Sequence, residues 1–132
     1  MRYAAATIAA LVVLMVSGAA AQAAGCSVAV GTRVMLKART IDPDVLVWDR
    51  KDLLIAYASG IWPGTKTVLQ HALLSSPGTP AITRACAASA IRPAHAAAED
   101  AIAIRITGGP HRGREGWVAA ADVHVIRVVH RL

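Results

Sequence analysis

IRITGGPHRGREGWVAAADVHV, from Ile104 to Val125, decides how the fold is read. It completes an alternating run, Ala101 to Thr107, that places Ile102, Ile104 and Ile106 on one face of a β-strand. Gly108-Gly109-Pro110 turns the chain. Gly113 and Gly116 supply the positive φ and the close backbone approach that a tight β-turn needs. Gly116-Trp117-Val118 then reads as a short strand, Ala119 to Asp122 as a single helical turn, and Val123 to Val129 as a last strand. Short strands joined by Gly-rich turns point to a small antiparallel β-structure.

Upstream, Gly31-Thr32 opens a strand in which Val34, Leu36 and Ala38 share one face. Asp42-Pro43-Asp44 is a turn, and Val45 to Trp48 is a short apolar strand. The period then changes. Asp49 is predicted to cap a helix beginning at Arg50, with Leu53, Leu54, Tyr57 and Ala58 as its apolar stripe. Gly60 ends that helix, and Trp62-Pro63-Gly64 turns the chain. Thr65 is predicted to cap a second helix, whose stripe is Val68, Leu69, Ala72 and Leu73. The run Ser75-Ser76-Pro77-Gly78 stops it. A strand over Ala81 to Ala88 follows and carries Cys86. The segment 91–98 fits no single period, and Pro93 argues against a central strand there. The fold class is therefore mainly β, with two short helices inserted at about 49–75 between the first and later strands.

The quoted stretch resembles the tail of a bacterial Src-homology-3-like (SH3-like) barrel. The matching residues are Gly109-Pro110, Arg112-Gly113-Arg114, Gly116-Trp117-Val118 and Asp122-Val123, with Gly31 to Lys37 a looser match to a first strand. The inserted helices depart from that family's compact pattern. Bacterial SH3-like domains commonly bind cell-wall peptides, so the resemblance implies a non-catalytic module whose partner is a protein or the peptidoglycan. Arg112 and Arg114 flank Gly113 on an exposed turn and suit carboxylates or phosphates. With His111 and Trp117 they form the candidate partner-binding set. The three Trp can also be core residues, because a chain without Phe has few large fillers. The same stretch is similar to a KOW motif, which implies nucleic-acid binding. Export argues against that partner, as do positive charges that are not interleaved with aromatics.

A chain of 132 residues allows one domain. Hydrophobic residues make up 55%, which excludes a disordered chain. Fourteen Lys and Arg against eight Asp and Glu give a net charge of +6. Residues 1–23 read as a secretory signal peptide: Arg2, the apolar run Ala4 to Val16, the break at Ser17-Gly18, and the small-residue site Ala21-Gln22-Ala23. The run is shorter than the roughly 20 residues a spanning helix needs, which argues against an uncleaved anchor. Residues 24–132 then form one domain with no membrane span. Cys26 and Cys86 are the only cysteines, so an exported chain is expected to join them in a disulfide. The competing fate is lipidation of Cys26, since Ala23-Ala24-Gly25-Cys26 resembles a bacterial lipobox. Ala23 stands where that motif usually has Leu, and the apolar run ends further upstream than usual.

No catalytic signature is present. His71, His95, His111, His124 and His130 form no His-x-His or His-Glu-x-x-His pair, so no metal is expected. Ser59, Ser75, Ser76 and Ser89 lack a Gly-x-Ser-x-Gly setting, and no phosphate-binding loop occurs, so no cofactor is expected. The alternative to a binding module is a small envelope hydrolase of another family. It would need paired carboxylates across a cleft. Export is the first point to check. Intact-mass measurement of secreted protein is expected to show loss of residues 1–23. A mass that retains Met1 would contradict the signal-peptide reading.

Overall fold

A computed structural model describes residues 25–39 and 43–127. The expected signal peptide and residues 128–129 of the expected last strand lie outside the described residues; Ile126 and Arg127 are not strand, and the elements below are those of the described residues. Seven strands form one antiparallel sheet curled into a half-barrel. They are β1 (Arg33–Leu36), β2 (Val45–Trp48), β3 (Ala72–Ser75), β4 (Pro80–Ile91), β5 (Glu99–Ile106), β6 (Glu115–Ala119) and β7 (Val123–Val125). Their order is β3-β2-β6-β5-β4-β1-β7. Helices α1 (Lys51–Ala58) and α2 (Thr65–His71) lie in sequence between β2 and β3. A 3-10 turn over Ala120–Asp122 joins β6 to β7, at the single helical turn the sequence predicts.

The alternation of β5 builds two cores. Ile102, Ile104 and Ile106 face the hollow of the sheet with Val34, Leu36, Val45, Val47, Ala81, Val118 and Val123, all in one buried cluster. Ala101 faces the other way and packs with Trp48, Leu54, Ile91 and Ala119. Leu53, Ile55, Tyr57 and Ala58 of α1 cover this outer cluster. The helix thus buries the apolar half of a sheet face that would otherwise meet water.

Three local expectations are corrected. Asp49 does not cap α1: the N-cap is Arg50, with no side-chain cap bond, and the Asp49 carboxylate instead meets His71 Nδ1 at 3.0 Å. Thr65 is the first residue of α2, and the N-cap is Gly64, at φ +97°. Ala72 and Leu73 belong to β3, where Trp48 pairs with Ala72 and Val47 with Leu73. Their spacing from Val68 and Leu69 imitates a helical stripe. Pairing with β2 overrides that weak local preference.

Gly116 has no room for a side chain. A Cβ there would sit 2.5 Å from Val47 Cγ1 and 2.8 Å from the Trp48 carbonyl oxygen. This is where β6 meets β2, at the Trp48–Trp117 pair. Gly113 is different: its φ is +90°, with open space around it. Gly113→Ala is expected to cost about 1–2 kcal/mol through the left-handed backbone alone. Gly116 does not take the expected positive φ, so the cost of Gly116→Ala is overpacking against Val47 and the Trp48 backbone, about 2–3 kcal/mol, and Gly116→Val is expected to exceed both. Urea denaturation of the three variants should give stability falling in that order. A Gly116→Val protein as stable as Gly113→Ala would contradict the packing at this junction.

Candidate functional site

The β5–β6 hairpin carries the basic candidates. Arg112 N–H donates to the Gly109 carbonyl, Arg114 N–H to the His111 carbonyl, and Gly113 N–H to the Ile106 carbonyl. Gly109, at φ +83°, and Gly113 take the left-handed backbone this turn requires. Arg112 and Arg114 are exposed, and His111 is half-buried. Among the described residues neither Arg joins an ion pair.

Trp117 sits apart from the tip. It is half-buried on the outer face, with Lys51 Nζ of α1 5.5 Å from its ring centroid. A shallow hollow of about 170 Å³ opens beside it, walled by Asp49, Arg84, Ala103 and Glu115. Trp48 is fully buried, its ring centroid 5.3 Å from that of Tyr57. Trp62 is 62% exposed and continues the series, 6.3 Å from Tyr57.

A larger cavity of about 460 Å³ lies against β2, α1 and β3. Leu46, Leu54, Tyr57 and Leu74 line its apolar part, and Arg39, Asp44 and Asp122 its polar part. Arg39 donates from Nε to Asp122 Oδ1 at 2.9 Å and from Nη2 to Glu99 Oε1 at 2.9 Å. Glu99 also accepts the Ala121 N–H. Burial pushes the Asp122 carboxyl above its usual range, and Arg39 only partly opposes this. The sequence offered no signal for this cluster, because Arg39 meets its partners across 60 and 83 residues.

Cys26 and Cys86 form the expected disulfide, with Cα atoms 6.4 Å apart. The bond occupies the thiol that lipidation of Cys26 would require. Beside it, Asp100 is buried, and its position in the chain gave no hint of its role. The Ser27 N–H and hydroxyl both donate to its Oδ2, at 2.7 and 2.8 Å. The Ser89 N–H donates to its Oδ1 at 2.8 Å. Ser89 sits at φ +52°, inside the irregular stretch of β4 between Ala87 and Ile91. The carboxylate thus pins the N-terminal segment and satisfies a bulge. Together the disulfide and Asp100 fix Cys26, Ser27 and β4 as one junction.

No family model, no curated protein and no solved structure matches the chain. Among the described residues, no helix is long and apolar enough to cross a membrane.

Hydrogen bonds from the Ser27 and Ser89 backbone hold the Asp100 carboxyl below its ordinary pKa. A depressed carboxylate stabilises the fold fully above the unfolded pKa of about 3.9, and that stability fades as pH falls through the lower folded value. Asp100→Ala is expected to cost about 1–3 kcal/mol at pH 7, since it leaves buried N–H donors unpaired. The gap between variant and wild type should narrow below about pH 4, in the titration range of an unfolded Asp. Thermal melts from pH 7 to 2 check this. A gap that is constant across that range would contradict an ionised Asp100.

Proposed function

We propose that the protein is an exported, non-catalytic SH3-like module that binds a protein or cell-wall partner in the bacterial envelope. The observation that carries this reading is the hairpin tip. Arg112 and Arg114 stand exposed, free of ion pairs among the described residues, on a backbone fixed by Gly109 and Gly113. An Arg fork held in this way matches carboxylate groups on an acidic protein face or on cell-wall peptides. The disulfide supports an oxidising compartment. The curled antiparallel sheet, with a helical turn before its last strand, supports the family resemblance.

Several carboxylates are engaged in local contacts, which favours binding over paired-carboxylate hydrolysis. Asp52 meets Arg50, Asp49 meets His71, and Glu99 and Asp122 share Arg39. Asp100 is enclosed by Ser27 and Ser89.

The test is co-sedimentation of the mature protein with purified peptidoglycan, alongside immobilised poly-glutamate as an acidic polypeptide. Wild type is expected to bind one of the two at low salt, and less as salt rises. Arg112→Ala with Arg114→Ala should leave stability within about 0.5 kcal/mol per site and weaken binding at least tenfold. Undiminished binding by the folded double variant would contradict this site. Failure of wild type to bind either probe would contradict the partner class.

A further inference from the structure

Strand β3 ends the sheet, with β2 as its only strand neighbour among the described residues. Native edge strands are usually guarded by charge, proline, a bulge or a covering segment. Ala72-Leu73-Leu74-Ser75 contains no charged residue and no proline, and its register against β2 is unbroken. The Asp49 N–H donates to the His71 carbonyl, and this sets the phase of the ladder. The Val47–Leu73 and Val45–Ser75 pairs then exchange hydrogen bonds, so Leu74 turns its N–H and carbonyl away from β2. The Ala72 N–H is taken by the Val68 carbonyl. Among the described residues, Leu74 is therefore the point at which the edge is open.

The Leu74 side chain is 60% exposed and forms one lip of the 460 Å³ cavity. Leu46, directly opposite on β2, and Tyr57 of α1 continue the apolar lining. Asp44 and Asp122 line the same space. Arg39 is the one cation among the described lining residues, and Asp122 and Glu99 already hold it. Among the described lining residues two carboxylates, Asp44 and Asp122, thus stand against one guanidinium that Glu99 also neutralises, which makes this a negative region on a chain of net charge +6.

We propose that β3 accepts an extended segment of another protein as an added strand, with a basic side chain of that segment lodged in the cavity between Leu74, Tyr57 and the Asp44 and Asp122 carboxylates. Strand addition uses the open main-chain groups of Leu74 for affinity, and the cavity selects the side chain. A Lys or Arg suits the space because its stem packs on Leu74 and Leu46 while its charge reaches the acids. Charge selects this occupant over a second copy of β3, whose four residues would bring no cation to the cavity. The surface is separate from the Arg112 and Arg114 hairpin, and the inference does not depend on that reading.

The experiment titrates isotope-labelled mature protein with short end-blocked peptides alternating Val and Thr around one central residue. The central residue is Lys or Glu, and a third peptide is the Lys form with alternate backbone amides N-methylated. The Lys peptide is expected to shift the amide resonances of residues 44–46 and 72–75. The Glu peptide should bind at least tenfold more weakly, and the N-methylated form should not bind. Asp44→Lys, at an exposed position, should keep the fold and weaken the Lys peptide at least tenfold. Four results would each overturn the proposal: no binding of the Lys peptide at millimolar concentration, equal binding of Lys and Glu forms, undiminished binding of the methylated form, or shifts confined to residues 109–114. Self-association through β3 without peptide would assign the edge to a second copy and overturn it equally.

Discussion

The contact on which the rest depends is the antiparallel pairing of β6 with β2 beside Gly116. There the Val47 side chain and the Trp48 carbonyl occupy the volume a Cβ would need. Removing that side chain lets β2, β3 and the two helices join a sheet otherwise made of β1 and β4 to β7. Without this pairing, the inner cluster would lose Val45 and Val47, and the outer cluster would lose Trp48 and the covering helix. One glycine therefore decides whether two cores or a fragment of one can form. A chain with no Phe depends on this, because the fully buried Trp48 is the largest filler of its outer core.

The first described residues are held by different chemistry. The disulfide closes a separation of 60 residues, which in the chain-entropy model is worth at most about 4 kcal/mol. Asp100 adds fixed hydrogen bonds to both sides of that junction, at Ser27 and at the β4 bulge. Rigidity at these two places frees the hairpin tip and the β3 edge from a packing role. Arg112, Arg114 and Leu74 are exposed there, and the proposed recognition by these residues would not draw on either core.

Much of the fold was readable because it rests on local pattern. Alternation in β5 identified Ile102, Ile104 and Ile106, which are all buried on one face. Gly109 and Gly113 marked a turn, and both take positive φ. Two cysteines left a single possible disulfide. What escaped was set by partners distant in sequence. Asp49 has the look of a cap, but His71 lies within reach once β3 pairs with β2. Ala72 and Leu73 keep a helical spacing, and only the presence of β2 makes them a strand. Neither the Arg39 cluster nor the cavity beside it has any sequence pattern, because their residues come from the loop after β1, from β2, α1 and β3, and from the turn before β7. The turn that carries Arg112 and Arg114 was thus legible from local pattern, whereas the separate cavity beside β3 required the fold.

Native-state hydrogen exchange tests the central claim most directly. If the β2–β6 pairing at Gly116 joins both halves of the sheet into one cooperative unit, amides of β2 and β6 at their shared pair should exchange only through global unfolding. Their opening free energies would equal those of Ile102 and Ile104 in β5. If residues 45–75 instead open at a distinctly lower free energy while residues 80–125 stay protected, β2 is an appendage, and its pairing with β6 does not hold the fold together.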